Sequence, residues 1–339
     1  MRPLVPLLAV AALLGPVACR SKRNAPQAWL AGIPEAALTS VSGEAGWFLE
    51  NKDLQQALTR SPLAEQMLDL FMQKARIDTR TETGRVTIHV LDLPKGLEGP
   101  KGEGKPDLRA VTSSFLIHLS GFKDPKALQA AITESFPAEG FLRVRGQDWP
   151  QFVVLDVQQG GTQMHLRVVA DPAGGLWLGD LGALSRLGGA SLADRPGVAA
   201  AAQWLSPGLR LQGALRPDPI VKSLRPQLPS EWARELPDGV DVILWGAGPQ
   251  SAPDTWTFEV VVGAEPKAIA QITPWLQRLG AALDAVRPQG QAPVQILQEG
   301  RRAALRATVD KAQLEAALAR LGLPQMDLGK VRRATRPQA

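Results

Sequence analysis

The chain has 339 residues, of which 45% are hydrophobic and 21% charged, with nine Trp and a single Cys. That composition is globular and excludes a disordered, collagenous or disulfide-stapled protein. The 38 Lys and Arg against 33 Asp and Glu would suggest a nucleic-acid binder, but eight of the basic residues lie at the ends, at Arg2, Arg20, Lys22, Arg23, Lys330, Arg332, Arg333 and Arg336. The remaining body is slightly acidic, and a nucleic-acid groove needs a basic stripe on a folded face, so no nucleic-acid partner is expected.

The chain opens with Met1-Arg2-Pro3, an apolar run from Leu4 to Leu14, and a small-residue exit, Gly15-Pro16-Val17-Ala18-Cys19. A charged start, a short apolar stretch and a small-residue exit make a secretory signal, here residues 1–18. The run is shorter than the roughly 20 apolar residues that cross a bilayer. Val17-Ala18-Cys19 resembles the lipobox of bacterial lipoproteins, with Pro16 departing from its usual aliphatic residue. The resemblance implies diacylglycerol on Cys19, a membrane as partner, and Cys19 as the lipid-attachment residue. Without lipid, Cys19 would be an odd free thiol in an exported protein, the competing reading. Arg20 after the cysteine is not the Asp that retains some lipoproteins at the inner membrane, so the expected address is the outer membrane.

Residues 19–27 read as lipidated cysteine and tether. Trp29-Leu30 is expected to open the core face of the first strand, with insertion into the bilayer interface as the alternative. Apolar residues three and four apart predict helices at Leu54–Ala75, Lys126–Ser135, Ala199–Leu205, Lys267–Leu283 and Lys311–Leu321. Strand patterns fall at Arg85–Leu91, Ser114–Ser120, Phe152–Val157, Met164–Ala170, Leu209–Ala214, Val240–Trp245, Trp256–Val262 and Leu305–Val309, with a further one at Leu176–Asp180. Strands and helices mix without regular alternation, so the expected class is α+β, with largely antiparallel sheets packed against helices.

An internal repeat organises the chain. Phe115–Leu119 running into Asp124-Pro125-Lys126 matches Phe258–Val262 running into Glu265-Pro266-Lys267, each a strand turning into a helix with Pro at its first position. Gly161 with Leu166–Asp171 matches Gly300 with Leu305–Asp310, and Ile33-Pro34-Glu35 more weakly matches Leu236-Pro237-Asp238. Two related lobes follow, residues 28–215 and 226–323, with a basic tail at 324–339. The order of motifs, with Ser191-Leu192-Ala193 after a strand and short helix, resembles uncharacterised bacterial envelope proteins built of repeated α+β modules. That resemblance implies architecture and no activity.

The chemical motifs do not survive their own requirements. Gly99 to Lys105 fits a phosphate loop until its eighth position, which is Pro106 where magnesium needs Ser or Thr. His89, His118 and His165 all fall in strands and would share a metal only if those strands were neighbours and a further ligand joined them, so no metal or other cofactor is expected. Asp171, Asp180 and Asp310 read as turn carboxylates. The tryptophans read as core, several with the option of lining a cleft between lobes. No catalytic residue is assigned. The expectation is a membrane-anchored, non-enzymatic envelope module that binds or scaffolds an envelope protein, glycan or lipid. A periplasmic carrier or chaperone for an apolar ligand and a motif-free hydrolase are the alternatives.

Overall fold

The computed structural model describes residues 29–30, 32–46, 62–78, 82–92, 114–159, 162–206, 209–218, 238–249 and 255–321. Cys19, the tether, Trp47, Trp232, the Gly- and Lys-rich stretch 94–107, the start of the first expected helix and the tail at 324–339 lie outside these residues.

Twelve strands form one antiparallel sheet. They are β1 (Thr39–Glu44), β2 (Arg85–Val90), β3 (Phe115–Ser120), β4 (Ala138–Val144), β5 (Gln147–Gln159), β6 (Thr162–Ala170), β7 (Leu176–Asp180), β8 (Leu211–Leu215), β9 (Val240–Pro249), β10 (Trp256–Ala264), β11 (Gln295–Glu299) and β12 (Arg302–Val309). Their order is β11-β12-β10-β9-β8-β1-β2-β3-β7-β6-β5-β4. Among the described residues, six helices accompany them: α1 (Pro62–Ala75), α2 (Pro125–Ser135), α3 (Leu181–Leu184), α4 (Pro196–Ala202), α5 (Pro266–Asp284) and α6 (Lys311–Arg320). The expected α+β class and its antiparallel pairing are present.

Read outward from the β1–β8 pair, the sheet has the same plan in both directions. β1, β2, β3, β7 and β6 on one side correspond to β8, β9, β10, β12 and β11 on the other. The helix after β3 corresponds to the helix after β10, which is the repeat that the Asp-Pro and Glu-Pro motifs mark. One pairing of the repeat needs correction. β12 sits beside β10 as β7 sits beside β3, so Leu305–Val309 is the positional counterpart of Leu176–Asp180 and not of Leu166–Ala170. The boundary shifts as well: β8, read from sequence as the end of the first lobe, begins the second half. The two halves are joined edge to edge by five register pairs between β1 and β8, so no cleft separates them at this seam.

Alternation along the strands divides the core into two faces. On one face, Ile117, Leu119, Leu176 and Leu178 pack with Phe258, Val260, Val262 and Leu305. Helices α1, α2, α5 and α6 cover this side through Phe71, Ile132, Ile269, Leu276 and Ala317. In α2, Asp124 accepts hydrogen bonds from the Lys126 and Ala127 amides, and Leu128 and Ile132 lie one turn apart on the buried side. In α5, Glu265 precedes the helix without a side-chain cap, and Pro274 interrupts the helix interior beside Thr273, whose hydroxyl donates to the Ile269 carbonyl.

On the opposite face, Leu116, Trp177, Val242, Leu244 and Val261 lie beneath α3, α4 and the strap 29–37. Leu30 and Ile33 are buried there. The residues 29–30 are helical and belong to the core, so they open a covering strap and not the first strand. The strap is tied down where the Leu192 amide donates to the Ile33 carbonyl at 2.9 Å, the Glu35 amide to the Ala190 carbonyl at 2.8 Å, and Arg195 to the Glu35 carboxylate at 2.8 Å.

Candidate functional site

The centre of the strap-covered face is polar where an apolar sheet would be the default. Register explains how it assembles. Glu44 of β1 lies opposite Arg85 of β2, and its amide donates to the carbonyl of Arg210, just before β8. One step along, Thr87, Ser42 and Gln212 stand in the next row, and beyond them His89, Ser40 and Ala214. His118 of β3 faces Thr87, and Trp177 of β7 faces His118. Residues two apart on a strand share a face, so these rows form one floor.

The floor is internally hydrogen-bonded. Ser42 Oγ lies 2.8 Å from Thr87 Oγ1, and Ser40 Oγ lies 2.8 Å from His89 Nδ1. Arg85 donates from Nε to Ser42 Oγ at 2.7 Å and from Nη2 to Gln212 Oε1 at 2.8 Å. The His118 ring stacks on Trp177 with centroids 4.0 Å apart and planes 6° apart, and His89 stacks on the same indole at 5.3 Å. Ser40, Ser42 and His89 are all fully buried.

Burial sets the electrostatics. Desolvation pushes His89 down to about 3, with His118 nearby adding to the effect, and desolvation alone pushes His118 down to about 3. Both imidazoles are therefore neutral at any physiological pH. Desolvation also lowers Arg85 to about 10, against the opposing pull of the Glu44 carboxylate.

A hydroxyl beside an imidazole invites comparison with a nucleophile and its base. Ser40 and His89 lack the rest of that machinery. The ring meets the hydroxyl through Nδ1, and among the described residues its Nε2 has no hydrogen-bond partner and no carboxylate orients it. His118 Nε2 is also without a partner and packs so closely on Gly175 that a Cβ there would lie 2.7 Å away. The chemistry of the floor is hydrogen bonding by neutral groups, with one cationic end.

The three histidines do not converge. His89 and His118 meet on the floor, whereas His165 lies on β6 with Nδ1 2.7 Å from Asp156. Among the described residues, no group of three or more His, Cys, Asp or Glu is placed to hold a metal ion. Asp171 accepts from the Ala173 amide, Asp180 caps α3 through the Gly182 amide, and Asp310 accepts from the Gln313 amide, the turn roles their positions suggested. Trp177, Trp245 and Trp256 are buried, and Trp29, Trp149 and Trp204 pack partly buried against the strap-side cluster.

Two further charged clusters are closed on themselves. Arg167, with 4% of its side chain exposed, is held by the carboxylates of Glu139 and Asp156. Its hydrogen bonds to each lower both carboxyls below their ordinary range. Glu259 accepts from the Ser206 amide and hydroxyl and forms an ion pair with Arg306, whose Nη2 donates to the Trp204 carbonyl, fastening the 204–206 segment to the sheet.

Ser40, Ser42, Arg85, Thr87, Arg210 and Gln212 escape sequence reasoning because no two of them form a motif along the chain. The one local signal is Thr39-Ser40-Val41-Ser42, an alternating run with Val on one parity and Ser on the other. No protein-family model matches the chain, and neither a curated protein nor a solved structure matches it. No helix among the described residues is long and apolar enough to cross a membrane.

Proposed function

We propose that the chain is an exported bacterial lipoprotein, held on a membrane through lipid on Cys19, whose sheet acts as a non-enzymatic binding or scaffolding module in the cell envelope. The observation that carries this reading is Cys19 directly after Ala18 at the exit of the apolar run. The basic residues Arg20, Lys22 and Arg23 follow at once, where attraction to anionic headgroups would hold them. Nine residues, 20–28, separate Cys19 from Trp29, a reach of about 35 Å at full extension over the ten steps, so the anchor would keep the strap side near the bilayer. The floor's buried imidazoles and internally hydrogen-bonded hydroxyls do not make an activated nucleophile, in keeping with a non-enzymatic role.

Metabolic labelling with a tagged fatty acid tests the anchor. The wild-type chain should take up label and Cys19→Ala should not, while its circular dichroism stays unchanged. Label persisting in Cys19→Ala would refute lipidation at this residue. Retention of no protein, glycan or lipid from envelope extracts by the purified mature chain would remove the support for a binding role.

A further inference from the structure

We propose that the outer edge of β11 is the surface on which two copies of this chain pair, strand against strand about a twofold axis at Leu297. The proposal stands on the sheet alone and holds whether or not Cys19 carries lipid. Among the described strands, β4 and β11 are the two ends of the sheet. A sheet end offers unpaired N–H and C=O groups to another chain unless something blunts it. β4 is blunted in three ways. Its register shifts between Ala138 and Gly140, Glu139 and Arg143 place charges along it, and Gly188 packs against the Arg143 carbonyl. β11 carries no such device: it pairs with β12 in unbroken register, and its one charge, Glu299, stands at its last position in an ion pair with Arg302 of β12.

The repeat shows that a strand fits at this edge. β6 is the counterpart of β11, and β6 is not an end, because β5 pairs along it. The apolar row behind the edge points the same way. Ala214, Leu244, Val261 and Ala304 face one another across β8, β9, β10 and β12 in the strap-side core, and the next residue in that row is Leu297. Directly opposed residues share a face, so Leu297 continues a core row, yet it is exposed where the others are buried.

The register selects a second copy as the occupant. Only Gly300 and Arg301 separate β11 from β12, so Glu299 and Arg302 are the hydrogen-bonded pair that closes this hairpin. Alternation then directs the backbone groups of Gln295, Leu297 and Glu299 toward β12 and those of Ile296 and Gln298 outward. An antiparallel copy centred on Leu297 matches that pattern. Ile296 meets Gln298 of the second copy as a hydrogen-bonded pair, and the two Leu297 side chains meet at the non-hydrogen-bonded position, where side chains come closest. The core row Val261, Ala304, Leu297 then runs on into the same row of the second copy. Gln295 lies opposite Glu299 of the second copy, an amide donor beside a carboxylate, so no like charges face each other.

Disulfide trapping in the mature chain tests the register, with Cys19→Ala as background so that an introduced cysteine is the only one. In Leu297→Cys the two Cα atoms would lie about 4.5 Å apart, within disulfide range, whereas in Gln295→Cys they would be offset by about 13 Å along the strands. Leu297→Cys should therefore form a covalent dimer under mild oxidation at least about tenfold faster than Gln295→Cys. Adding Gln298→Pro, which removes an outward N–H and no bond to β12, should slow trapping by about tenfold or more. In sedimentation, the mass of the Cys19→Ala chain should rise with concentration from one chain toward two, and Leu297→Lys should abolish the rise. Equal trapping in Leu297→Cys and Gln295→Cys, or a rise that persists in Leu297→Lys, would overturn the proposal. So would a strictly monomeric chain, and slow amide exchange at Ile296 and Gln298 in that monomer would assign the edge to another segment of the same chain. Should Gln298→Pro fail to fold, trapping in Leu297→Cys and sedimentation of Leu297→Lys decide without it.

Discussion

At the scale of single residues, His89 and His118 make stability depend on protons. Both imidazoles titrate at about 3 in the folded chain and near the ordinary 6.5 when unfolded. Between those values the unfolded chain binds protons that the folded one refuses. Their contribution is therefore complete above 6.5 and is lost as pH falls toward 3. Each imidazole accounts for about 1.4 kcal/mol per pH unit once pH is well below 6.5. The carboxyls of Glu139 and Asp156, lowered by Arg167, act in the same direction but only below the ordinary carboxylate range. Urea unfolding measured from pH 6.5 to 5 thus isolates the imidazoles. Stability should fall across that interval, and His118→Phe, which keeps a ring against Trp177 but cannot titrate, should reduce the slope by about half. A slope unchanged in His118→Phe would mean that the ring is not held neutral in the folded state.

At the scale of elements, the two copies of the strand-to-helix motif look alike in sequence but are not energetically equal. Asp124 accepts two backbone donors at the start of α2, whereas Glu265 makes no side-chain cap at the start of α5. Asp124→Ala should cost about 1 kcal/mol in equilibrium unfolding and Glu265→Ala less than about 0.5 kcal/mol. Equal costs would show that the capping geometry does not govern the repeat. The helices with strong periodicity, α2, α5 and α6, were legible to within a residue or two, as were the apolar strands β2, β3, β7 and β10. Three strands were not. β4 and β11 are the edges of the sheet, and their side chains are mostly exposed, so they carry little apolar alternation. β1 is central, yet its floor side carries Ser40 and Ser42, which are satisfied by His89, Thr87 and Arg85 from another strand. The floor shares that cause. It is assembled by register across β8, β1, β2 and β3, over sequence separations such as the 127 residues between Arg85 and Gln212. Hydrophobic periodicity is blind to such pairs.

At the scale of the whole molecule, the repeat that suggested two lobes has a different mechanical consequence once β1 and β8 are seen to pair. Both core clusters run across the seam: Ile117 and Val260 belong to one, Leu116 and Val261 to the other. Unfolding one half alone would expose apolar surface on both faces of the half that remained, and would strip β1 or β8 of its ladder partner. A single cooperative transition is therefore expected, with tryptophan fluorescence and far-ultraviolet circular dichroism coincident in urea. Gly213 offers a sharper form of the test. It sits on β8 at the seam, where a Cβ would fall 2.0 Å from the Trp245 ring, so Gly213→Ala must displace that indole or the strand. Overpacking of this kind costs about 1–3 kcal/mol. If the sheet is one unit, Gly213→Ala lowers the unfolding midpoint reported by amide protection in β3 and β7 as much as in β9 and β10. Independent lobes would confine the loss to β9 and β10, and that outcome would restore the separation that the sequence repeat first implied.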